Sequence, residues 1–308
     1  MRSGFVSLIG RPNAGKSTLL NRLVGIKLAI VSDKPQTTRN QILAVKNLTG
    51  DAAGQIVFVD TPGIHRPLHR MNVRMVDLAL ETIGQVDVLI VVIDASTKIG
   101  SGDRYLLTLL EHAKAPVILV PNKIDLIAKN RLLPLIDWYR QQRDFAAIVP
   151  VSALTGDGET ELEQAIVEQL PEGQPLYPAD YLTDQPERVL AAETVREKLL
   201  RHTSAELPFS TAVVVDQFDE PDHDGGGVLR IYCSILVERE SQKRIVIGHG
   251  GTLIKRIGTE ARQELEAFFA TRVYLDLHVR VRSDWRDDDR ILGEIGIAKR
   301  SGWQCKHG

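Results

Sequence analysis

The sequence predicts two domains: an α/β domain with a mostly parallel six-stranded sheet and helices on both faces, then a smaller α+β domain. Three observations predict this. In the first half, near-continuous apolar runs of strand length alternate with helix-length segments, the pattern of strands buried on both faces. Residues 171–187, PEGQPLYPADYLTDQPE, hold four prolines, which cannot continue a helix or a central strand. Beyond them the order of elements changes, with no internal repeat. At 308 residues there is room for two domains of ordinary size.

Residues 5–9 form an apolar run that ends at Gly10 and reads as a buried strand. A helix begins at Lys16 and carries Leu19, Leu20 and Leu23 on one face. Residues 41–48 and 55–60 are β-rich runs around the turn residues Thr49, Gly50 and Asp51, which predicts an antiparallel hairpin. Residues 87–94, 116–121 and 147–151 are three further strands. The first domain is placed at 1–172, a Pro-rich linker at 173–187 and the second domain at 188–308. The second domain opens with a helix over 188–201. Strands follow at 211–218 and 228–237, joined by the turn-rich EPDHDGGG. Residues 252–270 predict an amphipathic helix, with Leu253, Ile254, Ile257, Ala261, Leu265 and Phe268 on one face. Residues 272–282 alternate Val273, Leu275, Leu277, Val279 and Val281 and predict a last strand.

Composition narrows the function classes. Apolar residues make up 43% and charged residues 25%, as in soluble globular proteins, which excludes a disordered or collagen-like chain. The longest near-continuous apolar stretch, 86–93, contains Asp87 and falls far short of the ~20 residues of a spanning helix. The N-terminal apolar run is too short for a secretory signal. Two cysteines, Cys233 and Cys305, exclude a disulfide scaffold and a four-cysteine zinc site, and Cys233 reads as a small buried residue. A cytoplasmic location is expected, with peripheral association at the inner face of the cell membrane left open. The net charge of -2 hides a division. Residues 1–170 carry 19 basic and 17 acidic side chains, 171–227 carry 4 and 12, and 228–308 carry 15 and 11. An acidic middle and a basic end imply different partners, though this excess is weak evidence for nucleic acid taken alone.

The strongest chemical signal is Gly10-Arg11-Pro12-Asn13-Ala14-Gly15-Lys16-Ser17-Thr18, a phosphate-binding loop between a strand and a helix. Its glycines let backbone N–H groups wrap phosphates, and the helix N-terminus adds its positive end. Lys16 reaches β- and γ-phosphates in such loops, and the Ser17 hydroxyl binds Mg²⁺. Asp60-Thr61-Pro62-Gly63 ends a strand, where Asp60 suits the metal through water and the Gly63 N–H suits the γ-phosphate. Asn122-Lys123-Ile124-Asp125 ends another. A carboxylate there accepts two hydrogen bonds from guanine that adenine cannot offer. Ser152-Ala153-Leu154 ends the last strand, where a backbone N–H can read guanine O6. Between the first helix and second strand, one threonine of Pro35-Gln36-Thr37-Thr38-Arg39 closes on Mg²⁺ in the GTP state, with Thr38 favoured over Thr37. Lys16, Thr38, Asp60 and Gly63 are the candidate catalytic set. Position 64 is Ile, where many GTPases have a water-orienting glutamine, so slow intrinsic hydrolysis is expected.

In the basic end, IVIGHGGTLIKRIG resembles a KH core. Its GXXG turn is Gly248-His249-Gly250-Gly251, flanked by Lys243, Arg244, Lys255 and Arg256. Such a turn clamps about four nucleotides of single-stranded RNA. Strands before the two helices and one after them predict the prokaryotic, type II order. Trp285-Arg286 either extends the RNA face or packs the core. His65 and His69 have the spacing of a helical metal pair but lack an acidic third ligand, and read as a surface segment.

GRPNAGKST, KPQTTR, DTPGIH, NKID and SAL together are similar to small GTPases of the translation-factor class, and specifically resemble the Era family. The resemblance continues through Glu193-Thr-Val-Arg-Glu-Lys-Leu-Leu, Glu206-Leu-Pro-Phe and Val237-Glu-Arg-Glu-Ser-Gln-Lys, so it covers nearly the whole chain. It departs at the acidic, Gly-rich loop 216–227 and at Leu207, where isoleucine is commoner. The resemblance implies hydrolysis of GTP to GDP and phosphate with Mg²⁺. It also implies binding to the 3′ end of 16S ribosomal RNA and to the 30S subunit during assembly, with RNA access switched by GTP, and a monomer without an obligate protein partner. It implies K⁺ at Asn13, against the plainer role of a side-chain amide that stabilises the loop. The alternative function is a signalling or trafficking GTPase whose second domain docks protein.

Overall fold

The structure, a computed structural model, describes residues 1–308 except 33, 35–36, 49–53, 64–69, 112, 204–206, 222–226 and 298–308. The first domain runs β1 (Arg2–Gly10), α1 (Lys16–Val24), β2 (Ile42–Leu48), β3 (Gly54–Asp60), α2 (Arg70–Ile83), β4 (Val88–Asp94), α3 (Ser101–Leu110), β5 (Val117–Asn122), α4 (Lys129–Arg140), β6 (Ala147–Ile148) and α5 (Glu159–Gln169). The six strands form one sheet in the order β2-β3-β1-β4-β5-β6. Only β2 runs antiparallel to its neighbour. The continuity of the apolar runs has a direct cause. Val6 and Leu8 face one layer with Ile56, Phe58, Ile90, Leu20 and Ile166. Ile9 faces the other, with Leu89, Val91, Leu119, Leu106 and Tyr139. Each buried Leu, Ile or Phe contributes about 1.5–3 kcal/mol, and every strand of this sheet but β6 carries at least two.

Two strands differ from the sequence reading by more than one residue. β1 begins at Arg2 because Arg2 pairs with Gly54 and its guanidinium caps α5 through the carbonyls of Glu168 (2.6 Å) and Leu170 (2.9 Å). β6 is shorter than the apolar run 147–151, although Val149 and Val151 still donate to Leu119 and Pro121 of β5. Pro150 lies between these two donors, where an N–H would face away from β5.

The Pro-rich stretch docks on the first domain. Val45 donates to the Leu182 carbonyl (2.9 Å), and Thr183 Oγ1 donates to that of Leu43 (2.6 Å). Tyr177 and Tyr181 stack at 4.8 Å against Leu43, Val45 and Val57. This covers the exposed edge of β2.

The second domain runs α6 (Glu187–His202), α7 (Leu207–Ser210), β7 (Thr211–Asp219), β8 (Leu229–Val237), α8 (Glu240–Ile247), α9 (Thr252–Phe269), β9 (Val273–Val281) and α10 (Asp289–Glu294). β7 and β8 pair antiparallel, β8 and β9 parallel. α6, α8 and α9 cover one face through Val195, Leu199, Val246, Ile257 and Leu265. Cys233 lies in this core, and burial pushes its thiol up to about 12. α7 and α10, each too short for a periodic signal, are absent from the sequence reading. On the sheet's other face Trp285, Ile291 and Leu292 cover Ala212 and Leu236. Trp285 is 0% exposed and donates to the Ser210 carbonyl at 3.1 Å, so of its two readings packing holds. Arg286 pairs with Glu238 at 2.7 Å.

α6 also contacts the first domain, and three of its consecutive charged residues, Arg196, Glu197 and Lys198, are buried. Lys27 answers Glu197 (2.7 Å) and Glu264 (2.6 Å), and Lys198 pairs with Glu264. Buried charges persist only when paired in this way. Among the described residues no helix is long and apolar enough to cross a membrane.

Candidate functional site

The loop after β1 turns through two left-handed residues, Asn13 (φ 64°) and Gly15 (φ 93°), before α1 starts. A side chain at Gly15 would collide with the Asn122 amide. The loop edges a cleft of about 360 Å³, lined by Pro12, Asn13, Gly15, Lys16, Ser17, Thr18, Ile30, Val31, Ser32, Thr37, Thr38, Gly63 and Lys123. Lys16 is 6% exposed and its Nζ donates to the carbonyls of Gly10 and Arg11, both at 3.3 Å. Burial pulls its pKa below the usual lysine range, opposed by Asp60. Arg11 behaves otherwise: its guanidinium lies 2.7 Å from Asp103 of α3 and is turned from the cleft. Asp103 also caps α3 through Gly100 N (2.8 Å) and accepts from Tyr139 OH (3.2 Å).

Beside Lys16, at one corner of the cleft, three side-chain oxygens converge. Ser17 Oγ lies 2.7 Å from Thr38 Oγ1 and 3.2 Å from Asp60 Oδ2. Asp60 Oδ1 is buried with no hydrogen-bond partner. Burial pushes the Asp60 carboxyl up to about 6, against Lys16, the hydroxyls of Ser17 and Thr38 and the Thr61 amide, which favour its charge. Two hydroxyls and a half-satisfied buried carboxylate fit a hard divalent cation such as Mg²⁺. Thr38, not Thr37, reaches this corner. Thr37 Oγ1 instead donates to the Lys34 carbonyl at 2.6 Å. Thr61 donates to the Leu8 carbonyl (2.9 Å), which fixes the turn after β3. Pro62 follows, and Gly63 approaches Pro12, with 3.1 Å from its would-be Cβ to the proline backbone.

Asn122 knits the strand ends together. Its Nδ2 donates to the Ala14 carbonyl (2.8 Å), and its Oδ1 accepts from Lys123 N (2.8 Å) and Ala153 N (2.9 Å). The Ala153 amide is therefore occupied within the protein, whereas the sequence reading named the loop Ser152-Ala153-Leu154 without saying which amide meets O6. Ser152 Oγ donates to Asp125 Oδ1 at 2.6 Å and orients that carboxylate. Lys123, at φ 65°, places Nζ 2.6 Å from Asp94 Oδ2. Asp94 and Asp103 are missing from the sequence reading. The signal for Asp94 was its place at a strand end beside Asn122, since the two are register partners.

In the second domain Gly248-His249-Gly250-Gly251 forms the turn between α8 and α9. Gly250 has φ 58° and Gly251 φ 79°, and no atom lies within 4 Å of a would-be Cβ on either. The turn is thus bare on its outer side. His249, Arg244, Lys255 and Arg256 are exposed beside it, Lys243 is half-buried, and Ile245 is an exposed apolar neighbour. Arg256 pairs with Glu260 at 3.1 Å.

Pro35, Gln36, Ile64, His65, His69 and Cys305 lie outside the described residues. No group of three or more His, Cys, Asp or Glu that could hold a metal occurs among the described ones.

Comparison with known proteins matches both domains. The profile of the 50S ribosome-binding GTPase family matches residues 5–123, and that of the KH domain matches 206–286. The chain is 50% identical to the GTPase Era of Geobacter metallireducens over 295 residues, 96% of this chain and 97% of that protein. It is 45% identical to the GTPase Era of Heliobacterium modesticaldum over 300 residues, 97% and 98% of the two. A crystal structure of an Aquifex aeolicus Era variant bound to GDP and AlF₄⁻ superposes with a TM-score of 0.91 at 41% identity, covering 97% of this chain and 100% of that one. A crystal structure of Era with MgGDPNP and nucleotides 1506–1542 of 16S ribosomal RNA gives 0.92 at 42%, covering 97% and 99%. Sequence, fold and the order of strand-end motifs agree, and the chain belongs to the Era family of GTPases.

Proposed function

We propose that this chain is a GTP-hydrolysing switch that binds the single-stranded 3′ end of 16S ribosomal RNA during assembly of the 30S subunit. The observation that carries this is one chain holding both the oxygen-lined corner Ser17–Thr38–Asp60 and the bare GXXG turn of α8 and α9. The loop amides from Gly10 to Thr18 cradle the phosphates. Lys16 takes the β- and γ-phosphates, and the Gly63 amide takes the γ-phosphate. Ser17 and Thr38 ligate Mg²⁺, and Asp60 holds it through water. A metal held there would supply positive charge against the charge that develops in phosphoryl transfer. Asp125, oriented by Ser152, reads guanine N1–H and the 2-amino group, and Asn122 and Lys123 brace that pocket. With Ala153 N donating to Asn122, the next amide, that of Leu154, is the one to meet O6. RNA phosphates pass over Gly248–Gly251 and are met by Lys243, Arg244, Lys255 and Arg256.

Filter binding to the full chain tests the RNA assignment. An oligonucleotide of the 16S 3′ end is expected to bind at least tenfold more tightly than a scrambled one, and equal affinities would sink it. Asn13, exposed at the rim of the cleft, is assigned to K⁺ beside the β- and γ-phosphates. Hydrolysis is then faster in KCl than in NaCl at equal ionic strength. Identical rates would leave Asn13 as a loop-stabilising residue.

A further inference from the structure

Consecutive residues of the segment between α1 and β2 are held by different domains. The Thr38 hydroxyl turns inward to Ser17, at 2.7 Å. Its flanks are held from outside the first domain. The Thr37 carbonyl accepts from Arg196 Nη2 of α6. Arg39 Nη1 donates to the Thr211 carbonyl of β7 at 2.8 Å, and its guanidinium stands 5.6 Å from the centre of the Trp285 ring. Asn40 adds a bond from Nδ2 to the Ile295 carbonyl at 2.7 Å.

The second-domain partners are rigid. Arg196 is 1% exposed, and both Nε and Nη2 bind Glu193 at 2.7 Å. Trp285 is tied to Ser210. Burial and the neighbouring Arg196 push the Arg39 guanidinium down to about 9, so holding that cation here is costly. A buried arginine that only filled the core would be satisfied by Glu193. Arg196 instead spans to a backbone oxygen of the first domain, next to the residue that faces the oxygen-lined corner. The residues on both sides of Thr38 are thus anchored to the second domain, by bonds to α6, β7 and Ile295.

We propose that Arg196, with the Thr211–Trp285 seat of Arg39 on the opposite flank, is a positioning residue for Thr38, so that the RNA-facing domain completes the nucleotide site. This rests on the reading of Thr38 as the threonine drawn to Mg²⁺ in the GTP state. Arg39, Arg196 and Trp285 become the route by which nucleotide state reaches the second domain, through two discrete arrangements of one segment.

The test measures affinities of the full chain, with Mg²⁺, for fluorescent GDP and a fluorescent non-hydrolysable GTP analogue. Arg196→Lys keeps the charge beside Glu193 but cannot span both partners with one ammonium. It is expected to weaken the analogue about tenfold, the worth of one charge-assisted hydrogen bond, with GDP affinity within twofold of the unaltered protein. Thr38→Ala is expected to give a similar selective loss, and the double variant no further loss. Selective loss with Thr38→Ala but none with Arg196→Lys overturns the positioning role alone. Equal loss for both nucleotides with Arg196→Lys makes it a folding residue and also overturns it. No loss with Thr38→Ala overturns the reading beneath it. Arg39→Lys, judged by the same outcomes, decides the matter where Arg196→Lys does not fold.

Discussion

Gly250→Asp is expected to weaken RNA binding on the order of 100-fold while leaving folding and GTP affinity unchanged. The backbone at Gly250, φ 58° and ψ 23°, lies in the left-handed region, where aspartate is among the least penalised side chains. Nothing lies within 4 Å of the new Cβ, so the cost to the fold is about 1 kcal/mol. On the proposed RNA path the new carboxylate stands where a phosphate would pass. Two charges about 4 Å apart at an effective dielectric near 20 repel by about 4 kcal/mol, and solvent screening reduces this to about 2–3 kcal/mol. That corresponds to roughly 30- to 150-fold in affinity. Gly248 would make a poor test. Its φ of 75° and ψ of 174° suit glycine alone, and a Cβ there would stand 2.7 Å from that of Leu253. RNA filter binding, a thermal melt and titration with a GTP analogue check the outcome. Unchanged RNA affinity of a folded Gly250→Asp protein removes the turn from the RNA interface.

Lys16→Met is expected to lower GTP affinity by about 10²–10⁴-fold. The ammonium is buried with only two long bonds to carbonyls, an arrangement that leaves it ready for a stronger acceptor. Two charge-assisted contacts to phosphate oxygens contribute about 3–5 kcal/mol together. Nucleotide-free stability should change by no more than about 1–2 kcal/mol. Loss of the attraction to Asp60 is offset by relief of burying a cation. The sign of the pH effect follows. A lysine whose folded pKa lies below its unfolded value destabilises the fold throughout the lower range, and the penalty is relieved as pH rises through the folded pKa toward 10.5. Calorimetric titration with the analogue and a melt of the nucleotide-free protein read both effects. Near-normal GTP affinity of Lys16→Met would contradict the assignment of the loop.

Much of this architecture was legible because it is local. Buried parallel strands write continuous apolar runs, and residues at their C-terminal ends gather at one edge of the sheet. Gly10, Asp60, Asn122 and Ser152 were visible as chemistry for that reason. The GXXG turn was legible because its left-handed backbone demands glycine. What escaped was decided at a distance. The helix Asp289–Glu294 has too few residues to show a period, and Trp285 beneath it could have faced either way. Arg196, Glu197 and Lys198 look like solvent-facing charges in the sequence, and only tertiary packing of α6 buries them. Arg11 sits inside the phosphate motif, yet its side chain answers Asp103, 92 residues away. Nothing in the sequence shows that the Ala153 amide, one of those in the loop read as facing guanine, is taken by Asn122 Oδ1.

RNA filter binding of the full chain, first with GDP and then with a non-hydrolysable GTP analogue, asks whether the two sites form one device. The Thr37–Thr38 stretch is held between the nucleotide corner and the second domain, so RNA affinity should differ between the two states by about 5- to 150-fold, the usual span of coupling between sites. Equal affinity in both states, from protein saturated with each nucleotide, would contradict the coupling and leave two independent activities on one chain.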